Sequence, residues 1–275
     1  MFAAIKHGFR DALRLDVVLP LYIWGLLLGL VQTWPLLAAA QNRALNNPYV
    51  GQLATGGADA LVNLFLGNPA AGALAGVWGL VLVLLLLVYS LGYNFLSGGM
   101  LNVWADKSSF GRGGAWAFWS FTGLGVLLVL LALIAVGIAA AVAAAGAGLQ
   151  VGVILAVVLL QIINMAGEYA RAIAVVENRR NPFTLLGREF AFCARHPGTL
   201  LLALVGVLLS AALALAAVKV LPMVGGVVAV LVQQALALGW AWVKALRLAW
   251  ALNYVETADA RQLARPLEAV LGPAR

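Results

Sequence analysis

Long apolar runs without charge dominate the pattern of this chain. The stretches 17–42, 60–105, 113–167, 196–218 and 220–243 contain no Asp, Glu, Lys or Arg. Each is long enough for a helix of roughly 20 residues, which crosses about 30 Å of hydrocarbon. The run 113–167 is too long for one span, and Gly146-Ala147-Gly148 followed by Gln150 provides a turn signal within it. The pattern predicts an all-α polytopic integral membrane helical bundle with six transmembrane helices, at 17–39, 74–99, 118–143, 150–174, 199–221 and 226–247.

The basic residues predict the orientation of these spans. Of the 17 Lys and Arg residues, all except Arg43 and Lys219 lie in alternate gaps or at the span ends that adjoin them, starting with the segment before the first span. Cytoplasmic loops of membrane proteins carry such an excess of Lys and Arg. We therefore expect a multi-pass protein of the cell inner (cytoplasmic) membrane, with its N and C termini in the cytoplasm.

Composition agrees with a membrane protein. The chain is 64% hydrophobic and 10% charged, whereas soluble domains are about 25% charged. The sequence pI of about 10.0 reflects charge beside the spans, which attracts anionic lipid headgroups, and we do not expect nucleic-acid binding. The first apolar run exceeds the h-region of a cleavable signal, so we expect one membrane domain over residues 1–275. The lone Cys193 excludes an internal disulfide framework.

Two basic segments are predicted to form amphipathic helices at the inner membrane interface, at 1–15 and within the cytoplasmic stretch 177–198. Asn181-Pro182 provides a helix start for the second. The candidate interfacial residues match at one constant offset: Phe2, Ile5, Phe9 and Arg14 correspond to Phe183, Leu186, Phe190 and Arg195. This match favours three repeated units, each an interfacial segment followed by a helical hairpin. Chance matching in a chain rich in Ala, Gly and Leu is the alternative. The middle unit, 108–120, is short and rich in Gly, which argues against an interfacial helix there.

The segment from Glu177 through Asn181-Pro182-Phe183 to Arg195-His196-Pro197 enters directly into a Leu-rich helix. It resembles the central cytoplasmic connection of bacterial six-span membrane proteins of unassigned role. These include the membrane portion that precedes the catalytic domain in some glycerophosphodiester phosphodiesterases. The resemblance covers part of the chain and does not extend to that catalytic domain. It therefore implies a membrane architecture and no hydrolytic activity.

Motifs for catalysis or metal binding are not found in the sequence. The histidines, His7 and His196, lie in separate segments, and neither an H-E-x-x-H nor a G-x-S-x-G nor a P-loop motif occurs. Each histidine is read as a solvated interfacial side chain or, alternatively, as a contact to a lipid headgroup. We expect no enzyme, no metal and no cofactor.

Polar residues inside the apolar runs are the positive signal, because each polar group in a membrane needs a partner or water. The candidates for a polar cavity lie on the second, fourth and sixth spans: Ser90, Asn94, Ser97, Gln161, Asn164, Glu168, Arg171, Gln233, Gln234, Lys244 and Arg247. They either converge on a cavity that opens to the cytoplasm or stabilise helix packing. In the second case Glu168, near the inner interface, pairs with Arg171, Lys244 or Arg247.

Two functions follow from these features. The first is a non-enzymatic scaffold, accessory subunit or lipid-interacting factor at the cytoplasmic membrane, with anionic lipids, other membrane proteins or a second copy as partners. The alternative is a permease or channel for a small solute or lipid with an inward-facing polar cavity.

Overall fold

The computed structural model describes residues 2–44, 69–220, 223 and 226–271, and these contain helices and no strand. The α-helices in these ranges are α1 (Phe2–Ala12), α2 (Leu15–Ala44), α3 (Pro69–Trp104), α4 (Phe110–Val142), α5 (Leu149–Val176), α6 (Pro182–Arg195), α7 (Gly198–Val220) and α8 (Gly226–Leu271). A π-helical turn, Ala143–Ala147, follows α4. The all-helical prediction is confirmed for the described part of the chain.

Several of these helices suit a membrane by length and composition. Val83–Trp104, Phe110–Gly146, Leu149–Val176, Gly198–Val220 and Val230–Ala258 are long and apolar enough to cross one. Counting the bent pair Ala4–Ala12 and Leu15–Gly29 as one span gives up to six among the described residues. These helices suggest a membrane-embedded protein, while six spans and the threefold repeat stay predictions. Helix α8 continues to Leu271, well beyond the predicted end of the last span at 247.

The chain divides into two compact units, residues 23–92 and residues 1–22 with 93–275. Within the first, Trp24 joins α2 to α3: its indole N–H donates a 3.4 Å hydrogen bond to the Tyr89 carbonyl. Gly92 lies against the same ring, because a Cβ there would come within 2.2 Å of it. A side chain at position 92 would therefore displace the indole.

In the larger unit, α4 and α5 form a helical hairpin. Gly146 and Gly148 have φ angles of 103° and 86°, a left-handed conformation that glycine adopts without strain. The predicted turn at Gly146-Ala147-Gly148 thus coincides with the break between the two helices. Helix α4 begins at Phe110 and runs unbroken into its apolar region, so no separate interfacial helix lies in 108–120. Helix α5 packs on α4, α6 and α8, and α8 also packs on α1 and α7.

The apolar core of this unit lies at the predicted cytoplasmic ends of the helices. Phe121 on α4, Tyr169 on α5 and Leu248 on α8 are among its buried members. Toward the other ends large apolar side chains are exposed, including Leu133, Ile154, Leu208 and Leu231. Such faces are unfavourable in water and suit contact with lipid.

Helix α1 packs on α8 through its small residues. Ala4, Gly8 and Ala12 are buried at four-residue spacing, and a Cβ on Gly8 would come within 2.6 Å of the Trp250 side chain. The Trp250 indole N–H donates to the Ile5 carbonyl at 3.3 Å. The small face of α1 is therefore an internal packing surface.

Helix α6 begins where the sequence predicted a helix start. The Asn181 side chain accepts hydrogen bonds from the backbone N–H groups of Phe183, at 3.0 Å, and Thr184, at 3.4 Å, which satisfies donors left free by the first helical turn. Just before it, the Ser120 hydroxyl of α4 donates to the Arg180 carbonyl at 2.7 Å. The start of α6 is thereby tied to α4.

Candidate functional site

A buried ion pair joins α5 to α8. Arg247 Nε lies 3.0 Å from Glu168 Oε1 and 3.1 Å from Oε2. Both residues are less than a tenth exposed. A pair with so little access to water depends on close geometry, because each charge has lost its hydration.

Arg171 lies one helical turn from Glu168 and contacts α3 and α4. Its Nη2 donates to Asn94 Oδ1 at 3.1 Å, and its Nη1 donates to the Gly167 carbonyl at 3.2 Å. The guanidinium carbon lies 5.3 Å from the centre of the Tyr93 ring and 5.7 Å from that of Phe121. At these distances the rings attract the cation.

Lys244 and α7 complete this region. The Lys244 ammonium lies 5.3 Å from the centre of the Tyr93 ring, so two cations approach one aromatic side chain. On α7, Gly206 allows close approach of Arg247, because a Cβ at Gly206 would come within 2.8 Å of the arginine stem. We call Asn94, Glu168, Arg171, Lys244 and Arg247 the polar cluster.

The structure brings together those predicted cavity residues that are nearest the predicted inner ends of the spans. Besides the polar cluster, Ser97 is buried and its hydroxyl donates to the Asn94 carbonyl at 3.2 Å. Gln234 is half-buried and its side-chain carbonyl accepts a 2.7 Å hydrogen bond from the Tyr22 hydroxyl. The Gln234 contact joins α8 to α2, whereas the Ser97 bond lies within α3.

The other predicted cavity residues do not join the cluster. Asn164 and Gln233 are exposed. Ser90 is exposed and belongs to the unit 23–92. Gln161 is half-buried, and its Oε1 is buried without a hydrogen-bond partner among the described residues. The same is true of Arg171 Nε and Arg247 Nη2.

The candidate interfacial residues occupy several environments. Phe183 and Phe190 of α6 are 71% and 48% exposed, and Phe9 of α1 is 44% exposed. Ile5 and Leu186 are half-buried, whereas Arg14 and Arg195 are exposed. The Phe2 side chain lies outside the described part of the structure.

Sequence reasoning missed a buried carboxyl on α6. Glu189 is completely buried on the same face as Leu185, and its Oε1 accepts a 3.0 Å hydrogen bond from the Cys193 thiol. Burial raises the pKa of Glu189, and the thiol hydrogen bond offsets this only partly. Burial also raises the pKa of Cys193, to about 12, together with the bond to Glu189. The spacing of Leu185, Glu189 and Phe192, four and three apart, was a signal of this inward face.

The described residues contain no group of three or more His, Cys, Asp or Glu side chains able to hold a metal ion. His196 stacks on Phe192 with ring centres 4.4 Å apart. Its Nδ1 lies 3.0 Å from the Phe192 carbonyl, which can only accept, so Nδ1 carries a proton and donates.

Comparisons with known proteins give no match to a family model, to a curated protein or to a solved structure. The resemblance of the segment 177–197 to bacterial six-span membrane proteins therefore stays a prediction.

Proposed function

We propose that the protein is a non-enzymatic integral membrane protein of the cytoplasmic membrane, with both termini in the cytoplasm, which acts as a lipid-interacting scaffold or accessory subunit. Its working surface is formed by α1 and α6, which engage anionic lipid at the inner interface.

The observation that carries the proposal is the division of α6 into three faces. One face, with Leu185 and Glu189, is buried against the unit. A second exposes Phe183 and Phe190, seven residues apart and so on one side of the helix. The third carries exposed Arg188. A helix fixed on one side, with aromatic and basic faces exposed, suits the boundary between acyl chains and headgroups.

Helix α1 has the same division. Its small residues pack on α8, Phe9 and Leu13 are 44% and 56% exposed, and Lys6 and Arg10 are exposed. Both helices thus offer apolar side chains next to basic ones, and each immediately precedes a long apolar helix. The basic residues add electrostatic attraction to anionic headgroups.

Depth measurements on the full-length protein in lipid nanodiscs test the lipid contact. Cys193→Ser removes the native thiol, after which a spin label is placed at Phe190→Cys or, as a matched control on the basic side of α6, at Thr184→Cys. We expect the label at position 190 to collide preferentially with oxygen, and the label at 184 with a water-soluble relaxation agent. Equal exposure of both labels to the aqueous agent would remove the interfacial role of α6.

The scaffold role is tested by recovery of partners after crosslinking in membranes. Deleting the first helix would expose the face of α8 that Gly8 contacts, so point variants are preferable. Leu13→Ser changes a side chain that is 56% exposed. Phe9 is kept, because its ring also contacts Trp242 of α8, with ring centres 5.6 Å apart. We expect this variant to insert normally and to lose its crosslinked partners. Unchanged partner recovery would contradict the proposed role of α1.

A permease or channel is the second candidate, favoured by the buried polar atoms of Gln161, Arg171 and Arg247 that lack partners among the described residues. A solute or water would satisfy them. The contacts within the polar cluster instead favour packing between helices. The combination Gln161→Leu, Asn164→Leu and Glu168→Gln tests transport: a folded variant with an unchanged cellular phenotype rejects a conducting cavity.

A further inference from the structure

A cavity of about 290 Å³ lies between the end of α5, one side of α6 and α8. Its apolar walls include Ile173, Val176 and Val255. Its polar groups include the side chains of Arg188, Arg195 and His196. The cavity therefore joins an apolar surface to a basic one, on the predicted cytoplasmic side.

The two arginines reach the cavity because of their spacing. Arg188 and Arg195 are seven residues apart and lie on the same side of α6. Ala191, midway between them, also lines the cavity and leaves room at its wall. Arg195 is exposed and makes no ion pair with any of the described residues. Its guanidinium is thus available to an anion.

One carboxylate, Glu177, also lines the cavity, and its charge is compensated. Glu177 forms ion pairs with Arg179, at 3.0 Å, and with Arg188. The lining of the cavity contains two arginines and this one carboxylate, and Arg179, which is not part of the lining, also pairs with Glu177. The site therefore keeps a net positive charge. Glu177 also positions Arg188 while the site is empty and competes with an incoming anion.

We propose that this cavity binds a phosphate group, with Arg188 and Arg195 as the donors. Arginine pairs with phosphate through two parallel N–H groups, a geometry that single-point cations do not offer. A phospholipid headgroup would place its glycerol region against Ile173, Val176 and Val255, whereas free phosphate would use the arginines alone. The lipid form of the proposal rests on the lipid-interacting function proposed above.

Binding is measured on the full-length protein purified in detergent, by native mass spectrometry with phosphatidylglycerol as the probe and phosphatidylcholine as the neutral reference. We expect Arg195→Gln to reduce bound phosphatidylglycerol about fivefold, as expected for losing one charged hydrogen-bond donor. Arg112→Gln is the matched control, since it removes an exposed arginine of α4 outside both the cavity and the surface formed by α1 and α6. Arg195→Lys should retain part of the binding. Equal effects of the changes at positions 195 and 112 would overturn the proposal.

Two further variants address the site without removing Arg195. Ala191→Glu places a carboxylate in the cavity wall at an exposed position. It should reduce phosphatidylglycerol binding as strongly as Arg195→Gln does. Glu177→Gln removes the competing carboxylate and should increase it. Melting temperatures of all variants establish that they fold. A decrease in binding for Glu177→Gln in a folded protein would contradict the assigned geometry.

Competition with inorganic phosphate distinguishes a phospholipid headgroup from free phosphate as the ligand of the cavity. If free phosphate is the ligand, inorganic phosphate should raise the melting temperature of the protein and displace bound phosphatidylglycerol. The rise in melting temperature should be absent in Arg195→Gln. Binding of phosphatidylglycerol that phosphate does not displace supports a lipid headgroup. These measurements do not depend on the position of Phe190 in a bilayer. A spin label at position 190 that is exposed to water would therefore reject the interfacial role of α6. The phosphate site in the cavity would still be tested by the binding measurements.

Discussion

Glu168 and Arg247 approach to 3.0 Å inside the larger unit, with side chains that are each 8% exposed. The pair connects α5 and α8, two helices that also share the apolar core. Removing one member leaves the other charge buried, which is far more destabilising than losing both.

This asymmetry predicts the effect of Arg247→Met. We expect the free energy of unfolding of the full-length protein in detergent to fall by about 3–5 kcal/mol. Adding Glu168→Gln should restore much of this loss, because the uncompensated carboxylate is gone. Arg14→Met is the control: its pair with Asp16 is exposed and should contribute less than about 1 kcal/mol. A double variant as unstable as Arg247→Met alone would show that the carboxylate is not the cause.

The packing of α1 on α8 predicts opposite effects at two glycines. A Cβ at Gly8 would come within 2.6 Å of the Trp250 side chain and 3.1 Å of the α8 backbone, whereas one at Gly187 meets nothing within 4 Å. Gly8→Ala should therefore lower the melting temperature. Gly187→Ala, within α6, should raise stability by about 0.5–1 kcal/mol because alanine favours the helix. If both substitutions stabilise the protein, α1 does not pack as closely as described.

The sequence predicted the α-helices and the positions of their polar residues better than it predicted which polar side chains pair. Glu168 had three candidate partners in Arg171, Lys244 and Arg247, and the structure selects Arg247. That choice depends on how α5, α7 and α8 rotate against one another, for example on the close approach of Arg247 to Gly206. Such rotations result from packing over the whole unit, and a single helix pattern does not contain them.

The faces of α6 illustrate the same limit. The sequence predicts the start of α6 at Asn181-Pro182, because helix capping depends only on adjacent residues. The periodicity of Phe183, Leu186 and Phe190 suggested one apolar face, and the buried face is a neighbouring one that includes Glu189. A carboxyl group on an inward face goes against average burial preferences. The spacing of Leu185, Glu189 and Phe192 places them on one face, and the packing of α6 makes this face the buried one.

The buried Glu189 predicts a dependence of stability on pH. Because burial raises its pKa, the folded protein keeps this proton at pH values where the unfolded chain has lost it. The contribution of Glu189 to stability should therefore be fully present below the ordinary carboxyl pKa and be lost as pH rises through the raised one. Glu189→Gln should flatten this part of the profile of melting temperature against pH. A pH profile that Glu189→Gln leaves unchanged would contradict the role of Glu189.

Cys193 should react slowly with thiol reagents. The thiolate is the reactive form, and burial with the hydrogen bond to Glu189 raises the Cys193 pKa to about 12. We expect alkylation by iodoacetamide near neutral pH to be at least about tenfold slower than at Thr184→Cys in a Cys193→Ser background, because position 184 is exposed on the same helix. Rates are followed by mass spectrometry of the folded protein in detergent. If burial is the main cause, alkylation of Cys193 should stay slow in Glu189→Gln. Rapid alkylation of Cys193 in the unchanged protein would show that α6 does not pack through the face that carries Glu189.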